Sequence, residues 1–154
     1  AEEIPEQEVQ HETVSSSKIR QAISEGFIQK ANAYLDHYYI VMGQTEKYEY
    51  RNNFYEINLV KVSVTEECKL LPPPGLYAVT LGWGKAHSKG MVIINSDGAG
   101  EILVNVLEGG PVSYGQNTTI YFHKKIHGSV NLADQSDSAR RLMAARKEIS
   151  ELIF

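Results

Sequence analysis

From Tyr48 onward the chain is a succession of short β-rich segments broken by strong turn signals, and that pattern narrows the fold more than any other feature. Tyr48–Leu59, Val60–Val64, Leu76–Leu81, Met91–Asn95, Glu101–Leu107 and Thr118–Phe122 are rich in Val, Ile, Tyr and Thr. Pro-Gly, Gly-Trp-Gly, Ser-Asp-Gly and Gly-Gly-Pro sequences separate them. The sharpest boundary is Leu71-Pro72-Pro73-Pro74-Gly75-Leu76-Tyr77-Ala78-Val79. There the prolines preset φ, Gly75 permits the reversal, and a strand begins at Leu76. Strands this short and closely spaced predict a barrel or a sandwich.

Helical patterns flank the β region. Ser16 or Ser17 is placed to cap a helix whose apolar positions Ile19, Ala22 and Ile23 share one face, and Gly26 is placed to stop it. Ile28, Ala31 and Leu35 repeat the pattern, after which Tyr38–Met42 is too β-rich to stay helical and Gly43 is expected to end that run. Near the C-terminus Leu142, Ala145, Ile149 and Leu152 recur at helical intervals, with Ser136 or Asp137 as the expected cap. The simplest organisation is mainly β: an acidic segment over 1–13, a helical stretch over 14–43, and a small antiparallel barrel with a docked C-terminal helix over 44–154.

A chain of 154 residues buries about 68–70% of its unfolded surface, enough for one self-sufficient core. Cys68 is the sole cysteine, which excludes an internal disulfide and a cysteine-based zinc cluster and fits a reducing compartment. No apolar run approaches the roughly 20 residues that span a bilayer. The N-terminus is acidic where a secretory signal is basic and then apolar, so no membrane partner and a cytoplasmic address are expected. Asn117-Thr118-Thr119 matches a glycosylation sequon but reads as strand sequence. A formal net charge of −4 argues against sequence-independent nucleic-acid binding, which rests on clustered Lys and Arg.

Three stretches together carry a family resemblance: Val14-Ser15-Ser16-Ser17-Lys18-Ile19-Arg20, the Leu71–Val79 turn and strand, and Tyr114-Gly115. The chain resembles the C-terminal part of the bacterial bifunctional riboflavin kinase/FMN adenylyltransferase, or FAD synthetase, from near Val14 almost to its end. The resemblance implies a six-stranded Greek-key barrel preceded by two short helices and closed by a C-terminal helix. It also implies ATP-dependent phosphorylation of riboflavin to FMN, with Mg2+ and ATP, a flavin as ligand, and an adenylyltransferase domain as partner in the full-length protein. Ser15, Ser16, Ser17 and Arg20 resemble that domain's Ser-Ser-Thr-x-Ile-Arg motif, whose hydroxyls and arginine contact ATP phosphates. With no His-x-Gly-His and no preceding sheet in the chain, adenylyl transfer is not expected, and the stretch reads as a serine-capped helix.

Kinase chemistry requires a lid for the phosphates, oxygen ligands for magnesium and a base for the ribityl hydroxyl. Glu101, opening Glu101–Leu107, resembles the family's catalytic glutamate and is the candidate base. The family's Gly-Arg-x-Leu-Gly-Phe-Pro-Thr-Ala-Asn-Leu is matched by Phe54, Asn58 and Leu59, which makes Asn58 the candidate magnesium and nucleotide ligand. Tyr55 replaces the proline and Glu56 the threonine. Glu56 is an oxygen ligand in principle, but an anion beside a triphosphate is expected to repel it. The lid segment Gln44–Asn52 contains no glycine, which bars close backbone approach to phosphates and leaves Arg51 as the candidate phosphate contact. His123-Lys124-Lys125-Ile126-His127 suggests a metal or phosphate site, but His123 and His127 are too far apart on an extended strand to chelate, and a solvated strand end is expected. Trp83, between two glycines, is expected to cover the barrel end. These departures point to impaired catalysis and leave two readings, a riboflavin kinase or a non-catalytic flavin- or nucleotide-binding or structural module.

Overall fold

The computed structural model describes residues 16–54, 57–66, 69–95, 101–107 and 113–152, with Glu101 described through its backbone alone. Helix α1 covers residues 16–25 and α2 covers Ile28–Leu35. Six strands follow: β1 Tyr39–Lys47, β2 Val60–Val64, β3 Gly75–Trp83, β4 Ala86–Ile94, β5 Glu101–Val106 and β6 Asn117–His127. Helix α3, Gln135–Glu151, comes last. The strands pair antiparallel in the order β1-β2-β5-β4-β3-β6 and close on themselves, so the sheet has no free edge. The expected mainly-β antiparallel barrel with two short leading helices and a C-terminal helix is what the chain forms.

Alternation along the strands sorts the apolar residues into two cores. Val41, Val62, Tyr77, Val79, Ile102, Ile120 and Phe122 fill the barrel, joined by Ala22, Ile23, Ile28 and Ala31 from α1 and α2. Leu76, Ala78, Met91, Ile93 and Leu103 point outward and are covered by Leu142, Ala145 and Ile149 of α3. β3 and β4 are therefore apolar on both faces along much of their length, because each face has a core to fill. The two strands meet at a two-residue turn with Gly84 at φ +61°, and Trp83 packs half-buried against the inner core.

The helical start is fastened by local chemistry. Gly26, at φ +82°, ends α1 in a Schellman arrangement: its N–H reaches Ile23 O at 3.1 Å and that of Phe27 reaches Ala22 O at 2.8 Å. Asn32 then ties α2 to two strands, donating from Nδ2 to Phe122 O and accepting from the Tyr39 N–H, both at 2.8 Å. The Tyr77 hydroxyl donates to Pro73 O and so binds the proline turn to the strand it launches.

Four expectations need correction. Residues 48–54 and 57–59 form no strand. Their alternating apolar positions, Tyr48, Tyr50, Ile57 and Leu59, pack onto the outer core, and their polar groups bond to α3 and β5 instead of entering a ladder. Gly43 does not end β1. A Cβ there would stand 2.5 Å from Ser63 O, so the glycine lets β2 come close while the strand runs on to Lys47. The cap of α3 is Asp134, whose side chain accepts the Asp137 N–H at 3.1 Å. β6 continues past Phe122 to His127, with register shifts against β3 at His123 and at Ile126.

Candidate functional site

The expected kinase residues distribute along the β2–β5 side of the barrel and the strap, residues 48–54 and 57–59, that precedes β2. Glu101 is the first residue of β5, opposite Ser63 on β2; its side chain lies outside the described residues. Asn58 is exposed two residues before β2, and its carbonyl accepts a hydrogen bond from Asn105 Nδ2 at 2.9 Å. Asn105 stands four residues along β5 from Glu101, about 13 Å at 3.3 Å per residue. The backbones of Glu101 and Asn58 are thus set toward opposite ends of the β2–β5 ladder. Arg51 is exposed on the strap. Glu56 and Ser15 fall outside the described residues, while Ser16, Ser17 and Arg20 are exposed on α1.

Sequence reasoning missed the groups that hold the strap in place. Asn52 Nδ2 donates to Gln135 O at 2.8 Å, to Tyr50 Oη at 2.9 Å and to Ser138 Oγ at 3.2 Å. Tyr50 Oη and Ser138 Oγ are 3.1 Å apart, so one polar knot joins the strap to the first turn of α3. Asn105 is 4% exposed, and its Oδ1 has no partner among the described residues. A lone asparagine in Ile102-Leu103-Val104-Asn105-Val106-Leu107 was the available signal, since burying an amide costs free energy unless it is bonded.

Magnesium prefers carboxylate and phosphate oxygens in octahedral geometry. Among the described residues no group of three or more His, Cys, Asp or Glu could hold a metal ion. Asn58 on the strap and Asn105 on β5 offer neutral amide and carbonyl oxygens. Those oxygens alone do not fit magnesium.

His123 is not at a solvated strand end. It is half-buried, 2.7 Å from Thr80 Oγ1 through Nε2 and 4.1 Å from the Tyr38 ring, and burial lowers its pKa to about 4. His127 is exposed and lies 3.6 Å from Glu148, so the two histidines have separate partners. One bulge of β6 falls on His123 and another, at Ile126, lies between the two, and bulges re-aim side chains in ways that simple alternation does not foretell.

No family profile matches the chain, and no curated protein matches it in sequence. Among solved structures it superposes on a crystal structure of a macrolide-efflux protein from Streptococcus pneumoniae. The TM-score is 0.79 over 90% of this chain, at 18% sequence identity. The two share a fold. This chain spans 47% of the length of the Streptococcus pneumoniae protein, about half. Among the described residues no helix is long and apolar enough to cross a membrane.

Proposed function

We propose that this chain is a riboflavin-kinase-like barrel module that binds riboflavin or FMN. The observation that carries the reading is the order of parts: two short helices, a closed six-stranded antiparallel barrel, then a helix over its outer face. That order is what the resemblance of the Val14–Arg20, Leu71–Val79 and Tyr114-Gly115 stretches implies. Binding is favoured over catalysis by the strap. Phosphoryl transfer depends on a segment that closes over phosphates, and here Asn52 and Tyr50 tie that segment to α3. It also lacks glycine.

The kinase reading keeps one specific support, the position of Glu101 at the head of β5. In that reading the carboxylate accepts the proton of the ribityl hydroxyl as the hydroxyl oxygen bonds to the γ-phosphorus of ATP and the bridging oxygen departs with ADP. Titrating the full chain with riboflavin, FMN, ADP and ATP, each with and without Mg2+, tests both. The module reading expects saturable flavin binding and weak Mg-ATP binding; absence of flavin binding overturns it. Should FMN form, Glu101→Gln is expected to lower turnover by roughly 10²–10⁴-fold with flavin affinity nearly intact. Unchanged turnover would remove Glu101 from the mechanism.

A further inference from the structure

A groove of about 680 Å³ lies between the α1–α2 corner and the end of β6, away from the strap. We propose that it is a binding site for a phosphate-bearing ligand with a planar ring, of the nucleotide type. Its volume is in the range of small-molecule sites. Lys30, Lys124 and Lys125 line it against a single carboxylate, Glu25, in a chain whose formal net charge is −4. Among the described residues none of these three lysine side chains has a hydrogen-bonding or ion-pair partner, whereas those of Lys47, Lys61 and Lys69 each face a glutamate.

The cations are placed by the backbone rather than left to wander. Lys124 and Lys125 sit between the two bulges of β6, at His123 and Ile126. The Lys125 side chain lies along two glycines. A Cβ at Gly26 would meet its Cδ and Nζ at 3.2 Å, and one at Gly75 would meet its Cε at 3.0 Å. Holding an ammonium in place before a ligand arrives lowers the ordering cost of binding. Phe27, 53% exposed at the same corner, adds an aromatic face on which a ring can stack. Fixed positive charge beside an exposed aromatic ring suits a phosphate joined to a planar base. Riboflavin lacks the phosphate and does not report on this site, whereas FMN carries both phosphate and ring. The groove is therefore tested with adenine ligands, so that its failure and that of the flavin reading are told apart.

The test is NMR titration of the full chain with pyrophosphate, ADP and adenosine, with riboflavin run in parallel. Pyrophosphate and ADP are expected to shift the amides of residues 25–30 and 124–128, ADP binding more tightly, and adenosine to leave them unmoved. Lys125→Gln is expected to weaken ADP binding by about tenfold or more, the usual worth of a hydrogen bond to a charged group. Lys30 is exposed, so Lys30→Gln keeps the fold and gives an independent loss of affinity. Phe27→Ala is expected to bring ADP down to the affinity of pyrophosphate. Adenosine binding as tightly as ADP, shifts outside the groove, or ADP affinity unchanged in Lys30→Gln and Lys125→Gln would overturn the assignment, whatever riboflavin does.

Discussion

The strap before β2 and the groove beside β6 treat their polar side chains in opposite ways. On the strap, Asn52, Tyr50 and Ser138 bond to one another, and the Asn58 carbonyl is held by Asn105. In the groove, Lys30, Lys124 and Lys125 line the opening with no side-chain hydrogen-bonding or ion-pair partner among the described residues. Polar groups that satisfy each other are spent on holding the fold, while charges kept apart from counter-charges remain available to a ligand. The strap is accordingly a structural brace, and the groove is the better candidate for capturing an anion.

Substitutions should separate the two regions by what they change. The largest effect is expected at Asn105: Asn105→Ala removes, at a buried position, the donor to the Asn58 carbonyl and should cost about 1–3 kcal/mol in urea unfolding. A loss near zero would show that the strap does not depend on β5. Asn52→Ala removes the bond to Gln135 O together with those to Tyr50 and Ser138, and should cost about 1–2 kcal/mol by the same measurement. Lys30→Gln, by contrast, should change stability by no more than about 0.5 kcal/mol. A loss comparable to that of Asn52→Ala would make the groove lysine structural and erase the contrast.

His123 offers a smaller test on the strand that also carries Lys124. Its pKa in the folded protein, about 4, lies below the ordinary 6.5, so the folded state favours the neutral ring. Above pH 6.5 the ring is neutral in both states and costs nothing. As pH falls from 6.5 toward 4 the unfolded chain takes up the proton first, and folding stability is lost. Melting temperatures at pH 7 and pH 5 should therefore fall less in His123→Gln than in the unaltered chain. An equal fall in both would mean that His123 is as solvated as its neighbour His127.

Much of this contrast was invisible in the sequence, for a physical reason that particular residues make plain. Elements with local causes were legible. Gly26 stops α1, Val60–Val64 and the segment from Glu101 form strands, and Leu142, Ala145 and Ile149 mark the buried side of α3. The strap misled because alternating apolar residues describe any extended chain lying on a core. Whether it enters a ladder depends on Gln135 and Ser138, more than 80 positions away. The lysines of β6 looked solvated because their meeting with Lys30 depends on two bulges and on the docking of α2, neither of which leaves a pattern in composition. Among the candidate site residues the sequence marked positions, such as the head of β5 and the carbonyl-anchored Asn58. Of the bracing asparagines only Asn105, alone in an apolar strand, left a signal; Asn52 left none.

Titration of the full chain with riboflavin, followed by quenching of flavin fluorescence, tests the functional reading most directly. The account predicts saturable binding that is unchanged in Lys30→Gln. Riboflavin fluorescence that stays unquenched up to the solubility limit, with FMN equally unaffected, would contradict it.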